Sequence, residues 1–381
     1  MADLSADELV ALLERVFAPT SEERRLAVLV DLPDEELPDT PAWSERRRTA
    51  KGWVEALATS PYEAELFVYP HAPANNADLP PALFSLGEGA LPNDASEVDP
   101  RAARPLVEVL SAFPLVLAPT QLSATAPLKL LALRHGFRAA TMPGFSAAML
   151  PALRLDYAEV HRRVLRLKAL LDRATSAELD FDVTGFGPRA LTLDLRHRTA
   201  HASSGLLHRR GTAGNLPSGE AFIVPYEGER AGDPSLSRGE LPVELGDSLL
   251  LYRIEENRAR AVEGSGPARE SEAARLVAEP AYGNLAELGL GVLADFGLRP
   301  TGDLLLDEKL GLHLAFGRSD HFGGRVGPQD FSRPEAVVHL DRVYLPELQP
   351  RVKVRALDLL LEDDDRRLPL MRDGRYLDLF D

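Results

Sequence analysis

Short apolar runs alternate with helical patterns through the N-terminal part of the chain. The opening segment, MADLSADELVALLERVF, is amphipathic and carries a Ser5–Glu8 capping box, so it predicts a helix. Apolar runs of strand length, separated by helical patterns, indicate βαβ units and a mostly parallel sheet. These runs are LAVLVDL (Leu26–Leu32), AELFVY (Ala64–Tyr69), PLVLA (Pro114–Ala118) and RAATM (Arg138–Met142).

The period of the pattern changes near residue 175. Apolar and polar residues alternate in Glu178–Thr184 and again in Ser248–Ile254, as is typical of half-buried antiparallel strands. We therefore expect two domains: an α/β domain with a mostly parallel sheet at 1–175, and an α+β domain rich in antiparallel strands at 176–381. The polar stretch EGERAGDPSLSRGE (227–240) is expected to be a solvated loop.

Composition narrows the classes of partner and of site. A net charge of −16 argues against a nucleic-acid partner, because a phosphate backbone requires a basic face. No apolar run approaches the ~18 residues of a membrane span, and no signal peptide is evident, so a cytoplasmic protein is expected. The chain has no cysteine, which excludes disulfides and thiolate ligands. Any metal must therefore be bound by histidine and carboxylate side chains.

Side chains able to bind a metal recur in apolar contexts of the second domain. Glu220 opens the apolar strand EAFIV, and Glu287 and His313 lie within NLAELGLG and GLHLAFG. His339 and Asp341 are two residues apart in AVVHLDRV, so they share one strand face. Burying three carboxylates without compensation is costly, and divalent cations would balance them. Arginine partners are the alternative.

Motifs around these residues resemble the thermophilic aminopeptidase T family of metallopeptidases. Five of them occur in the order typical of that family: NLPSGE (215–220), AELGLG (286–291), TGDLLLDEKLGLHLAFG (301–317), FGG (322–324) and HLD (339–341). The resemblance covers about residues 200–345 of this sequence.

The resemblance implies a dinuclear metal site and an aminopeptidase activity. Two divalent ions, zinc, cobalt or manganese, would activate a water that hydrolyses the N-terminal residue from a peptide with a free N-terminus. It also implies a homodimer. The ligands carried over are Glu220, Glu287, His313, His339 and Asp341.

The same resemblance suggests catalytic residues beyond the ligands. Glu308 of the DEK motif would be a general base or would support the ligands from outside. Its neighbour Lys309 would stabilise an oxyanion, or else be a surface lysine. Where some family members have a tyrosine, this chain has Asp320, followed by His321, which could donate a proton or act as a further ligand.

Two other functions remain open from the sequence. One branch that resembles this family, the dihydroxypyridine dioxygenases, holds a single iron with two histidines and one carboxylate, and His313, His339 and Asp341 could form that set here. The loss of the family tyrosine also permits a catalytically silent peptide-binding or accessory protein. Retention of both Glu220 and Glu287 favours two metals and therefore the aminopeptidase.

Overall fold

The computed structural model describes residues 3–87, 89–362 and 366–380. The first elements in chain order are α1 (Ala6–Phe17), β1 (Arg25–Leu32), α2 (Pro41–Leu57), β2 (Glu63–Pro70), β3 (Ala82–Ser85), β4 (Ala103–Pro105), α3 (Leu106–Ala112), β5 (Leu115–Ala118), α4 (Thr125–His135), β6 (Arg138–Thr141), α5 (Leu150–Leu153) and α6 (Tyr157–Leu171). The four apolar runs identified in the sequence correspond to β1, β2, β5 and β6.

The remaining elements are mostly strands. They are β7 (Ala174–Val183), β8 (Gly187–Asp194), β9 (His201–Ser203), β10 (Thr212–Asn215), β11 (Glu220–Ile223), β12 (Arg238–Leu245), β13 (Ser248–Glu255), β14 (Arg258–Ser265), α7 (Ala268–Ala278), β15 (Leu285–Gly291), α8 (Leu304–Asp307), β16 (Leu312–Gly317), β17 (His339–Val343), β18 (Val352–Leu361), β19 (Arg366–Arg372) and β20 (Arg375–Tyr376).

The first of two compact units contains the described residues up to His161 together with Ser203–Ser218. Its sheet has the order β10-β6-β5-β1-β2-β3-β4 among the described strands. The strands from β10 to β2 run parallel, whereas β3 and β4 are antiparallel at one edge. All of β1 except its first residue is buried, as expected of a parallel strand covered on both faces. The prediction of a mostly parallel sheet therefore holds at the centre, and the sheet as a whole is mixed.

The N-terminal helix begins where its capping box predicts. The Ser5 hydroxyl accepts a hydrogen bond from the backbone N–H of Glu8, and the Glu8 carboxylate accepts one from the backbone N–H of Ser5. Two of the otherwise unpaired donors at the helix start are thereby satisfied. One face of the helix is buried, and that face consists of Leu9, Leu12, Leu13, Val16 and Phe17.

The second unit contains Arg162–Ala202 and the described residues from Gly219 onward. Its larger sheet is antiparallel, with the order β14-β13-β12-β8-β7-β18-β19-β20 in the described part of the chain. The alternation predicted for Glu178–Thr184 lies in β7, where Leu179, Phe181 and Val183 are buried. Period-two patterning therefore predicted this sheet correctly.

A smaller antiparallel sheet in the same unit carries the residues of interest. Its strand order is β17-β16-β15-β11, with β9 at the edge beside β11. Every residue of β11, β15 and β16 is buried, including the charged ones. Such burial requires each charged side chain to have a partner.

The described residues contain no helix that is both long enough and apolar enough to cross a lipid bilayer.

Candidate metal centre

Strand register places the five predicted ligands on one face of the smaller sheet. Glu220 lies opposite Gly291, and His313 lies opposite Gly289. Glu287 is two residues before Gly289 and therefore points to the same side. The opposite face carries Arg342 and is otherwise apolar; its apolar residues include Ala221, Ile223, Leu288, Leu290, Leu312, Leu314, Phe316 and Leu340.

The outer strand completes this face. In β17, Asp341 lies opposite Ala315 and His339 lies opposite Gly317, so both side chains share the face that carries His313. A register shift between Leu285 and Glu287 adds a bulge to β15 at the point where Glu287 projects. The shift keeps Glu287 in register with Ala315 and therefore on the face that carries both histidines.

The five side chains form two groups that share Glu287. One group consists of Glu220, Glu287 and His313, and the other of Glu287, His339 and Asp341. The Nε2 atom of His313 lies 3.2 Å from Glu287 Oε1 and 3.6 Å from Glu220 Oε2. The Nε2 atom of His339 lies 3.2 Å from Glu287 Oε2 and 3.5 Å from Asp341 Oδ1. One oxygen of Glu287 thus faces each histidine.

Two glycines make room for this arrangement. A Cβ atom at Gly289 would lie 1.9 Å from Nε2 of His313, and one at Gly291 would lie 2.2 Å from the backbone carbon of Lys309. No side chain fits at either position without displacing its neighbour. The glycines of the AELGLG motif therefore let the histidine and the Lys309 backbone approach the sheet closely.

Lys309 is buried, and the interpretation of this residue as a surface lysine is wrong. Its side chain is 2% exposed, and Nζ donates to Glu220 Oε1 at 2.5 Å and also to a carboxylate oxygen of Glu308. The ammonium reaches the cluster because its backbone lies over Gly291, directly beside Glu220. Part of the charge of Glu220 is therefore balanced by a lysine, where the sequence suggested a metal or arginines.

The second oxygen of Glu220 is left without a hydrogen bond. Glu220 Oε2 is buried and has no hydrogen-bond partner, although the carboxylate as a whole is 7% exposed. A buried carboxylate oxygen without a donor is costly. This oxygen belongs to the group formed with Glu287 and His313, which is positioned to hold a metal ion. The donor set of carboxylates and imidazoles suits zinc, manganese, cobalt or iron(II).

The carboxylates of the cluster favour a positive charge between them, either protons on the histidines or a bound cation. Burial would lower the pKa of His313, but its contacts with Glu287 and Glu220 raise that pKa to about 9. Burial would also lower the pKa of His339, but Asp341 and Glu287 raise that pKa well above its ordinary value. Burial, followed by the neighbouring charge of Glu287, raises the pKa of Glu220 despite Lys309. The carboxylates thus attract protons to the histidines when no other cation is bound.

Two further residues with predicted roles lie beside the ligands. The Glu308 side chain is 14% exposed and pairs with Lys309. Burial raises the pKa of Glu308 to about 8 against the opposing charge of Lys309, with Glu220 and Asp341 adding to the increase.

His321 lies on the more exposed side, in the short 3₁₀ helix Asp320–Phe322. Its ring centre is 5.4 Å from that of His339 and 3.8 Å from that of Phe322. Partial desolvation and the charge of His339 lower the pKa of His321 to about 4. The ring is therefore neutral near pH 7, which suits it to accept a hydrogen bond or bind a metal and disfavours the role of proton donor.

Two groups near the ligands were missed from the sequence: the backbone carbonyl of Arg318 and the buried carboxylate of Glu227. The backbone carbonyl of Arg318 accepts a hydrogen bond from Nδ1 of His339 at 2.8 Å, a contact with no signature in the sequence. Glu227, which the sequence placed in a solvated loop, has a side chain only 2% exposed. The loop prediction is wrong at this residue because nearby donors compensate the buried carboxylate. The sequence signal that could have indicated its burial is the position of this charged residue shortly after an apolar strand.

Two solved structures of similar fold carry different activities in their names. The 2,5-dihydroxypyridine dioxygenase from Pseudomonas putida KT2440 is 18% identical, with a TM-score of 0.61 over 98% of this chain and 98% of that chain. Wild-type AmpT from Thermus thermophilus is 17% identical, with a TM-score of 0.55 over 98% of this chain and 99% of that chain. Identities this low show a shared fold and do not determine the reaction.

The sequence matches no protein-family model and no curated protein. The resemblance to the aminopeptidase T family is therefore supported as a remote structural relationship, alongside a relationship of the same kind to a dioxygenase. The fold common to these proteins and the group of Glu220, Glu287 and His313 together define a candidate metal centre in the second unit.

Proposed function

We propose that the protein is a metal-dependent aminopeptidase that binds two divalent ions and removes the N-terminal residue from peptides. The observation that carries the proposal is the shared carboxylate: Glu287 directs one oxygen to His313 and the other to His339, each at 3.2 Å. A carboxylate shared between two ligand groups is the arrangement expected of a bridging ligand in a two-metal site.

The residues of each group have distinct assignments in this proposal. Glu220, Glu287 and His313 would hold one ion, and Glu287, His339 and Asp341 the other. Ions bound there would supply a Lewis acid and an acidified water for attack on the scissile carbonyl. The unpaired Oε2 of Glu220 supports the first assignment, because a cation would satisfy that atom.

The neighbouring residues would manage protons and substrate. Lys309 holds Glu220 and Glu308 in place through its ammonium group. Glu308 shares the Lys309 ammonium with Glu220; it would take a proton from the attacking water and return it to the leaving amine, and its raised pKa suits that exchange near neutral pH. The acidic surroundings also favour docking of a peptide's free ammonium group, which would confine cleavage to the chain end.

The dioxygenase neighbour gives the second candidate function, ring cleavage at a single iron. The set His313, His339 and Asp341 supplies the two histidines and one carboxylate of such a centre. Against it, the described residues place His313 and His339 in different ligand groups, each completed by Glu287. In a site with only those three ligands, Glu220 would pair with Lys309 alone and its Oε2 would stay without a partner. The two-ion aminopeptidase is therefore preferred.

Metal analysis combined with a substrate panel tests the proposed function. We expect close to two zinc, cobalt or manganese ions per chain and metal-stimulated release of aminomethylcoumarin from aminoacyl-coumarin substrates. The N-acetylated form of the best substrate is the matched control, and it should not be cleaved. One iron per chain with oxygen-dependent cleavage of 2,5-dihydroxypyridine would replace this proposal with the alternative. Two bound ions without release of any residue would identify a silent homologue.

A further inference from the structure

Glu227 is a buried carboxylate on which several donors converge. Its Oε1 accepts hydrogen bonds from Asn284 Nδ2 at 2.6 Å and from the Ser319 hydroxyl at 2.5 Å. Its Oε2 accepts one from the backbone N–H of Arg325, and the guanidinium of Arg198 lies 3.6 Å away. Charge-assisted hydrogen bonds of this kind are about twice as strong as neutral ones. Glu227 therefore holds these groups together in the interior.

These donors belong to separate segments that meet at the end of the small sheet. Asn284 immediately precedes β15, and its side chain also donates to the carbonyl of Gly317, the last residue of β16. Ser319 and Arg325 lie at the two ends of the segment 319–325, which connects β16 to the residues before β17. Arg198 donates to the carbonyl of Gly323 in the same segment at 3.2 Å. Glu227 and its partners thus fix both ends of this segment and its middle.

The segment fixed by Glu227, together with Arg318 directly before it, contacts a predicted ligand of the metal centre. The carbonyl of Arg318 accepts the Nδ1 hydrogen of His339, and the rings of His321 and Phe322 pack at 5.4 and 5.6 Å from the His339 ring. Because a carbonyl only accepts, the proton must be on Nδ1. The Nε2 atom that faces Glu287 and Asp341 is then the nitrogen available to a metal.

We propose that Glu227 is a positioning residue that sets the orientation of His339 and thereby the affinity of one of the two metal positions. This inference rests on the proposed two-ion function. The position affected is the one formed by Glu287, His339 and Asp341, because the described contacts of Glu227 reach His339 through Arg318 and the 319–325 segment. The other metal position, formed by Glu220, Glu287 and His313, should be unaffected because its ligands lie on β11, β15 and β16.

Stepwise titration with cobalt(II) chloride tests this assignment in the full-length protein. Glu227→Gln removes the charge and leaves one oxygen where two accept now, so either the N–H of Arg325 or the amide of Asn284 faces an NH2 group and the anchor is weakened. Removing such an outer contact weakens a metal site about 10–100-fold. We expect one of the two cobalt affinities to fall by that factor and the other to remain unchanged. Glu263→Gln is the control: Glu263 is exposed on β14 and belongs to neither ligand group, so both affinities should stay intact.

A second variant and a second readout exclude a general loss of structure. Ser319→Ala removes a single hydrogen bond to Glu227 and should reduce the same cobalt affinity by a smaller factor. Hydrogen exchange in metal-free protein should speed up within 319–325 in both variants and stay unchanged in β15 and β16. Equal weakening of both cobalt positions, or of neither, would overturn the role of Glu227 while leaving the two-ion proposal standing. Unaltered protein that binds fewer than two ions would overturn both.

Discussion

Glu287→Gln will leave the protein with less than one tightly bound divalent ion per chain and without aminopeptidase activity. The substitution preserves size, but it replaces one of the two oxygens that face His313 and His339 with an amide that donates hydrogen bonds. Loss of outer-shell contacts alone costs about 10–100-fold in affinity, so loss of a shared ligand should cost more at both positions. Elemental analysis after gel filtration in metal-free buffer measures the effect.

A glutamate on a distant strand provides the control for this variant. Glu263 is exposed on β14, and Glu263→Gln should retain both ions and full activity. If Glu287→Gln kept two ions per chain, Glu287 could not bridge them. The assignment of ligands would then need another shared residue.

Lys309→Met will destabilise the metal-free protein by about 3–5 kcal/mol, the range measured when one member of a buried ion pair is removed. Glu220 and Glu308 would lose the ammonium that both contact, while their side chains remain 7% and 14% exposed. Urea unfolding of chelator-treated protein measures the change. Added zinc should recover part of the loss, because a cation near Glu220 would compensate the missing charge.

An exposed lysine distinguishes loss of the ion pair from a general effect of removing a lysine. Lys353 is exposed on β18, so Lys353→Met should change stability by no more than about 0.5 kcal/mol. A change below about 1 kcal/mol in Lys309→Met would mean that Glu220 and Glu308 are protonated or hydrated without the lysine. The charge balance described for the cluster would then be wrong.

The sequence predicted the candidate ligands because local periodicity determines which face a strand residue occupies. Glu220, His313, His339 and Asp341 each stand out against apolar neighbours at period two, and the structure places all of them on one sheet face. Glu287 lies on the same face, and the bulge that precedes it in β15 was not evident from the sequence. In the sequence Glu287 was recognisable as a carboxylate among the apolar residues of NLAELGLG.

Other features depend on contacts between distant segments, which local patterns do not reveal. The burial of Lys309 follows from its backbone lying over Gly291, and the burial of Glu227 follows from donors up to 98 residues away in sequence. Strand β10 joins the first sheet by pairing Thr212 with Arg138, although it follows the change of period near residue 175. Nothing in a short run of sequence encodes such pairings.

Anomalous diffraction from a crystal soaked in zinc or cobalt tests the central claim most directly. The account predicts two peaks on either side of the Glu287 carboxylate, one bounded by Glu220 and His313 and the other by His339 and Asp341. A single peak coordinated jointly by His313, His339 and Asp341, with Glu220 still bound only to Lys309, would contradict it.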